Sequence, residues 1–112
     1  MLSFGLPDKT LATLRSILAE YPAVEKAILY GSRAKGTYRP GSDIDLTLVG
    51  ANLNYHLLAE IAGRLEDSSI PYCVDLSLKE QIDNPTLLEH IERVGVVFYL
   101  KTRHPPKAPT LT

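Results

Sequence analysis

Residues 31–46 read GSRAKGTYRPGSDIDL, and this stretch organises the rest of the chain. The apolar run at residues 27–30 leads into it and predicts a buried strand, and a second apolar run begins at Ile44. Side chains along a strand alternate between its two faces, so Asp43 and Asp45 project from one face and Ile44 from the other. We therefore expect two carboxylates side by side where the second strand starts.

Two carboxylates this close repel each other, and a bound cation relieves that repulsion. Carboxylate oxygens beside a phosphate site are the ligands that suit Mg²⁺. Gly31 and Ser32 supply the phosphate side, because a glycine lets the backbone approach an anion and a helix start offers free N–H groups. Arg33, Lys35 and Arg39 add three positive charges within seven residues. The stretch therefore predicts a site for magnesium and phosphate.

The known phosphate loops do not fit this stretch. It lacks the Gly-Lys-Ser/Thr ending of a Walker loop and the G-x-G-x-x-G of dinucleotide-binding folds. A surface hairpin is the plain alternative, since a lone Asp-x-Asp is usually a solvated strand end. The joint pattern of strand, Gly-Ser, ten residues, Asp-x-Asp and a second apolar strand favours the functional interpretation.

The joint pattern resembles the signature of the DNA polymerase β-type nucleotidyltransferase superfamily, in which Gly31-Ser32 is followed after ten residues by Asp43-Ile44-Asp45. The fuller string, Gly-Ser-Arg-Ala-Lys-Gly followed by Ser-Asp-Ile-Asp-Leu, is similar to the smallest members, the MNT (minimal nucleotidyltransferase) domains. MNT domains are typically encoded beside a HEPN helical-bundle partner. The resemblance covers residues 8–100 and implies a nucleotidyltransferase fold.

The resemblance implies three catalytic, metal-binding carboxylates, namely Asp43, Asp45 and Asp75, with two Mg²⁺ ions between them and ATP. Asp75 matches the third carboxylate that the family takes from a later strand, where it would also help to deprotonate the acceptor hydroxyl. On its own, Asp75 is a charge inside an otherwise apolar strand predicted over residues 70–78, and an exposed strand end is the alternative.

The resemblance also implies nucleotide-binding roles in the Gly-Ser stretch. Ser32 and the backbone near Gly31 would bind the β- and γ-phosphates, and Arg33 and Lys35 would neutralise the leaving pyrophosphate. Arg39 fits a phosphate contact and a solvated surface charge equally well.

The implied activity is transfer of AMP from ATP to a hydroxyl, with a tyrosine of a cognate HEPN-type toxin as the favoured acceptor. The chain would then be the antitoxin of a toxin–antitoxin pair, acting by AMPylation. Adenylylation of a small molecule such as an aminoglycoside is an alternative, although no second domain is seen to enclose one; a homodimer or hetero-oligomer would make a cleft. A binding-only antitoxin without catalysis is the non-enzymatic alternative.

Composition narrows the class of protein. The 112 residues are 45% hydrophobic and 22% charged, typical of one globular domain. Twelve basic and thirteen acidic residues give a net charge of −1, so we expect no nucleic acid as the main ligand. The single cysteine, Cys73, excludes an internal disulfide, fits the cytoplasm and is expected to be a packed core thiol. No membrane span or signal peptide is predicted.

Periodicity predicts an α+β fold, with a small mixed sheet of about four strands and helices mainly on one face. Asp8 is expected to cap a first helix that ends near Tyr21, and Asn54 a second that ends near Glu66. Residues 96–100 are expected to form a buried final strand. His90 is expected at the surface or partly buried, without a metal role. The nucleotidyltransferase domain is predicted over residues 1–100, followed by a flexible tail over 101–112.

Overall fold

The computed structural model describes residues 2–101, so the predicted tail lies, apart from Lys101, outside the described residues. Within them the chain forms six strands, four α-helices and one 3-10 turn. In chain order these are β1 (Leu2–Ser3), β2 (Leu6–Pro7), α1 (Asp8–Ala19), β3 (Lys26–Tyr30), α2 (Gly31–Lys35), β4 (Ile44–Val49), α3 (Tyr55–Glu66), β5 (Val74–Leu78), the 3-10 turn (Lys79–Gln81), α4 (Pro85–Val94) and β6 (Val96–Leu100).

Four strands form the main sheet in the order β5-β4-β3-β6. β3 runs antiparallel to both β4 and β6, whereas β4 and β5 are parallel. A parallel pair needs a crossover, and α3 provides it between β4 and β5. The predicted fold class, α+β with a mixed four-stranded sheet, is confirmed. None of the helices within residues 2–101 has the length and apolar character needed to span a bilayer.

The main core lies on one face of this sheet. Ile44, Leu46 and Leu48 of β4 are almost fully buried there, as the alternation along the strand predicts. They belong to one apolar cluster with the inward side chains of α1 and α3, including Leu14, Leu18, Ile61 and Leu65. Each such side chain stabilises the fold by about 1.5–3 kcal/mol relative to an exposed position. The Asn54 carboxamide oxygen accepts the Leu57 N–H at 2.8 Å, which confirms the predicted cap of α3.

α4 packs on the other face of the sheet. Asn84 caps it by accepting the Thr86 N–H at 2.9 Å, and Pro85 occupies its first position. Ile91 is 2% exposed but lies outside the main apolar cluster. Gly95, at the end of α4, lies so close to Ile28 of β3 that a side chain there would touch the Ile28 methyl group. α4 is therefore placed to contribute side chains to the polar face.

A short amino-terminal hairpin, β1–β2, was not predicted from the sequence. Phe4 and Gly5 connect its strands with φ values of 58° and 74°, the left-handed conformation that a tight type I′ turn requires at both positions. Leu6 is fully buried in the main core and anchors the hairpin. The hairpin leads directly into α1 and is thus an integral part of the fold.

Several local predictions were wrong. Asp8 is the first residue of α1 rather than its cap, because Pro7 takes the cap position without a side-chain hydrogen bond. The third strand starts at Val74, later than predicted, and Cys73 is exposed instead of packed in the core. Cys73 lines a groove of about 520 Å³ between α3 and β5. β6 is an edge strand in which only Phe98 is fully buried, since it has a neighbouring strand on one side only.

Candidate functional site

Asp45 lies at the centre of a row of polar side chains across three strands. Its register partner on β3 is Tyr30 and its partner on β5 is Asp75. Residues paired in this way project from the same face of a sheet, so the two carboxylates and the tyrosine are direct neighbours. In the next row the Ser77 hydroxyl donates to the Thr47 hydroxyl at 2.9 Å. The parallel pairing of β4 and β5 therefore brings together two carboxylates that are 30 residues apart in the chain.

The electrostatics of Asp45 reflect this crowding. Burial raises the pKa of its carboxyl above the usual value, and the like charges of Asp75 and Asp43 raise it further. His90 acts in the opposite direction. Burial also raises the pKa of the Tyr30 phenol, Ser77 opposes this, and the charges of Asp45 and Asp75 add to the rise. The row is thus an electronegative patch that a cation would stabilise.

Asp43 immediately precedes β4 and is exposed. The Ile44 N–H donates to the Cys73 carbonyl at 2.9 Å, which aligns the start of β4 with the approach to β5. Among residues 2–101, however, no three carboxylate, imidazole or thiolate groups are gathered into a ready-made metal cluster. Asp43 and Asp75 are both exposed, Asp43 two residues before Asp45 in the chain and Asp75 beside Asp45 on β5, so the carboxylates are neighbours rather than a closed ligand cage.

Gly31 begins α2 instead of a simple turn, and it makes room for Asp45. Its φ of 76° is left-handed, and a Cβ at this position would overlap with the Asp45 carboxylate. A side chain here would be strained by the backbone and would also push Asp45 aside. The Gly-Ser pair and the Asp-x-Asp pair are thus in direct contact across ten intervening residues.

His90 of α4 is a site residue that the sequence analysis missed. The Gly31 N–H donates to its Nε2 at 3.1 Å, which puts the imidazole proton on Nδ1. The ring also meets Tyr30 edge-on, with centroids 6.1 Å apart. No local signal could have indicated this contact, because His90 lies 59 residues from Gly31 and belongs to an ordinary amphipathic helix.

The other predicted nucleotide-binding residues differ in their environment. Ser32 is partly exposed beside Gly31, and Lys35 is exposed at the end of α2. Arg39 is exposed in the loop between α2 and β4, where its backbone N–H donates to the Ser42 hydroxyl at 2.8 Å. Lys35 is therefore an exposed cation near the Gly-Ser turn, whereas Arg39 lies farther along the loop.

Arg33 is placed differently from the other predicted phosphate ligands. It is 2% exposed, and its guanidinium donates to the backbone carbonyls of Ser42 and Phe4. The rings of Tyr38 and Tyr72 each lie 5.2 Å from its central carbon. The structure thus puts this cation in the interior, away from the exposed face of the predicted phosphate site.

The donor set fits a hard divalent cation. It consists of carboxylate oxygens from Asp43, Asp45 and Asp75. Burial raises the pKa of Asp45, and the like charges of Asp75 and Asp43 add to the rise. A Mg²⁺ ion held there would remove the repulsion that raises the pKa. The role of these three residues as ligands remains a prediction.

Comparison with known proteins identifies the family. Residues 12–104 match the model of the polymerase β nucleotidyltransferase family, which is most of the chain. No curated protein sequence matches the chain at a significant level.

Solved structures of toxin–antitoxin complexes share the fold. A toxin–antitoxin crystallised with AMP-PNP superposes with a TM-score of 0.65 at 24% identity, covering 86% of this chain and 75% of that one. A mutant of the toxin–antitoxin pair MntA–HpeT gives 0.61 at 25% identity, covering 82% and 71%. The complex of a tri-AMPylated Shewanella oneidensis HEPN toxin with an MNT antitoxin gives 0.62 at 20% identity, covering 83% and 71%.

The family model spans the Gly-Ser turn, both aspartates of the Asp-x-Asp pair and Asp75. The four-stranded mixed sheet and the adjacent carboxylates of β4 and β5 agree with that match. The chain belongs to the polymerase β-type nucleotidyltransferases.

Proposed function

We propose that this nucleotidyltransferase is a protein adenylyltransferase that moves AMP from ATP to a tyrosine hydroxyl of a HEPN-type toxin and so acts as its antitoxin. Similarity to the MNT chain bound to a tri-AMPylated HEPN toxin supports this assignment of acceptor. Similarity to a toxin–antitoxin bound to AMP-PNP supports an adenine nucleotide as donor.

The observation that supports the activity best is the register of β4 against β5. Asp45 pairs with Asp75, and Gly31 leaves just enough space for the Asp45 carboxylate. Asp45 has a raised pKa and stands beside a second carboxylate, which has no structural benefit because like charges destabilise each other. Perturbed carboxylates beside a glycine turn are typical of a functional site.

In the proposed reaction the acceptor hydroxyl oxygen forms a bond to the α-phosphorus of ATP. The bond between that phosphorus and the oxygen bridging to the β-phosphate breaks, and pyrophosphate leaves with the electron pair. Asp75 accepts the proton of the hydroxyl, and Asp43, Asp45 and Asp75 would hold the divalent cations, for which two Mg²⁺ are expected. When bound, Mg²⁺ neutralises the charge that develops on the attacking and leaving oxygens.

The phosphates would lie along α2. Ser32 is partly exposed at its start, and Lys35 is exposed at its end, so a hydroxyl and an ammonium group are available on this side of the carboxylates. The Gly31 N–H already donates to His90, so a phosphate there would compete with the imidazole. We assign the contact with the leaving pyrophosphate to Lys35, since it is exposed in this helix and Arg33 is buried.

An exposed apolar edge supports an acceptor supplied by a partner protein. Val97 and Leu100 of β6 are 53% and 64% exposed. They belong to an edge strand, whose outer side presents backbone groups without a strand partner among residues 2–101. Their partners on β3 are Ile28 and Lys26, which share a face with Tyr30 and hence with Asp45. A protein that covered this edge would approach the sheet from the side of the carboxylates.

The test combines the purified chain, Mg²⁺, α-labelled ATP and the HEPN-type protein encoded beside it. We expect label on the partner, attached to a tyrosine by mass spectrometry, and loss of labelling with Asp43→Asn or when Mg²⁺ is chelated. Glu60→Gln on α3 is the control that removes an exposed carboxylate away from the site.

The same experiment separates catalysis from binding. If the partner stays unlabelled while the wild-type chain and Asp43→Asn neutralise it equally, the enzymatic proposal is wrong and the chain is a binding-only antitoxin. If label instead accumulates on a small molecule such as an aminoglycoside, the assignment of a protein acceptor is wrong.

A further inference from the structure

Arg33 is an unusual residue to find in the interior. It is 2% exposed, and neither of the two ion pairs among residues 2–101, Arg64–Glu20 and Arg93–Glu89, involves it. A buried charge is costly unless hydrogen bonds satisfy it. A neutral side chain in place of Arg33 would avoid the free-energy cost of burying a charge. The hydrogen bonds of Arg33 therefore indicate a function for this cation.

All three guanidinium nitrogens of Arg33 donate to backbone carbonyls. Nε and Nη2 both donate to the Ser42 oxygen, at 3.2 and 2.9 Å, and Nη1 donates to the Phe4 oxygen at 2.9 Å. The rings of Tyr38 and Tyr72 hold the guanidinium from the sides. Contact with a phosphate would require Arg33 to give up these bonds and leave the interior.

The bond to Ser42 acts directly on Asp43. The Ser42 carbonyl and the Asp43 N–H belong to one planar peptide unit, so two donors on this oxygen orient the plane from which Asp43 extends. The planar fork of arginine suits this task, because two fixed N–H groups converge on one acceptor. Arg33 therefore controls the direction in which the backbone enters β4.

The bond to Phe4 extends this control to the amino-terminal hairpin. Phe4 and Gly5 form the left-handed turn between β1 and β2, and Gly5 lies directly against Tyr38 and the Arg33 Nη1. A Cβ on Gly5 would overlap with the Tyr38 ring. The hairpin, Arg33 and the loop before Asp43 are thus one packed unit.

We propose that Arg33 is a positioning residue that orients Asp43 for metal binding and does not contact the nucleotide. The proposal rests on the proposed function in assigning Asp43 to a Mg²⁺ site, and it replaces the phosphate contact that the sequence pattern suggests for Arg33. It also makes the β1–β2 hairpin a part of the catalytic architecture, through the Phe4 carbonyl that accepts from Arg33.

The test compares Arg33→Lys with Arg15→Lys. Arg15 has a similar arrangement on α1, donating to the Phe98 carbonyl at 3.1 Å and lying 4.5 Å over the Phe98 ring, but away from the site. We expect Arg33→Lys to raise the Mg²⁺ concentration for half-maximal activity about tenfold and to lower kcat, with little change in KM for ATP at saturating Mg²⁺. Arg15→Lys should leave all three quantities unchanged.

A phosphate contact predicts the opposite pattern. If Arg33 bound pyrophosphate, Arg33→Lys would raise KM for ATP. The Mg²⁺ dependence would stay unchanged, because lysine keeps the positive charge. That result, or no change at all, would overturn the proposal. Lys35→Met serves as the reference for a phosphate contact and should raise KM for ATP.

Two further measurements keep the test decisive. If Arg33→Lys does not fold, Gly5→Ala is used, which keeps the guanidinium but pushes on Tyr38; a Mg²⁺ dependence like that of the wild type would then overturn the proposal. Mg²⁺-dependent binding of ATP, measured by thermal shift, gives a second readout without any acceptor. A wild-type chain that binds Mg²⁺ and ATP but transfers no label disproves the proposed function, and Arg33 is still tested by binding.

Discussion

The two faces of β4 differ in how well their side chains are accommodated. On one face Ile44, Leu46 and Leu48 are at most 1% exposed and belong to the main apolar cluster with α1 and α3. On the other face Asp45 stands beside Asp75, and burial and like charges raise its pKa. One strand thus serves stability on one side and holds a destabilising group on the other.

This difference between the two faces of β4 indicates which face has a function beyond stability. On the apolar face, buried positions hold apolar side chains, as is usual in a protein core. Replacing these side chains with other apolar ones of similar volume would be tolerated. The polar face departs from this pattern, since an isolated carboxylate pair has an unfavourable interaction that a bound cation would turn into a favourable one. The two faces should therefore respond in opposite ways to mutation.

The largest expected effect is on catalysis by Asp45→Asn. The amide keeps the shape of the side chain but removes the charge, and we expect kcat/KM to fall about a thousandfold, equivalent to about 4 kcal/mol of transition-state stabilisation. The measurement is AMP transfer at saturating Mg²⁺. Retention of more than about a tenth of the wild-type activity would contradict the assigned role.

The corresponding change on the apolar face is Leu46→Ala. Leu46 is fully buried, so we expect a loss of about 3 kcal/mol in the free energy of unfolding, from lost burial and the cavity left behind. Chemical denaturation measures this loss. The activity per folded molecule should stay at the wild-type level, and a lower activity would mean that the two faces are coupled.

Gly31→Ala tests the contact between the two halves of the motif, with Gly36→Ala as its control. Both glycines have left-handed φ values, 76° and 84°, so both changes should reduce stability by about 1–2 kcal/mol through backbone strain. A Cβ at Gly31 would overlap with Asp45, whereas a Cβ at Gly36 would meet no atom of residues 2–101 within 4 Å, its chain neighbours and own helix backbone aside. Only Gly31→Ala should therefore abolish Mg²⁺-dependent ATP binding; equal effects would argue against the contact.

The smallest expected effect is on the pH dependence of stability without metal. The pKa of Asp45 is raised in the folded protein above the ordinary value of 3.8, so the fold binds this proton more tightly than the unfolded chain does. The stabilisation that this proton gives is complete below pH 3.8 and is lost as the pH rises through the raised pKa of Asp45 in the folded protein.

Asp45→Asn should abolish this loss. At neutral pH, without divalent cations, we expect the variant to be more stable than the wild type by about 0.5–1 kcal/mol, a value reduced for solvent screening because Asp45 is partly exposed. Thermal melts between pH 4 and 8, with a metal chelator present, measure the difference. Mg²⁺ should stabilise the wild type and not the variant.

The sequence alone determined the local parts of this protein. The sequence predicted the start of the strand Ile44–Val49, and alternation put Asp45 opposite the apolar side chains, because the period of a strand depends only on the backbone. Helical spacing and the Asn54 cap predicted Tyr55–Glu66 for the same reason. The Gly-Ser and Asp-x-Asp spacing indicated the family, and the match to the family model confirms it.

The tertiary structure decided everything that depends on which elements become neighbours. His90 reaches Gly31, Arg33 turns inward to Ser42 and Phe4, and Asp75 lies beside Asp45 through contacts between segments far apart in the chain. The exposure of Cys73 and the edge position of β6 likewise follow from the strand order. A side-chain period says which residues share a face, but burial and hydrogen-bond partners depend on what covers that face, and only the folded chain supplies it.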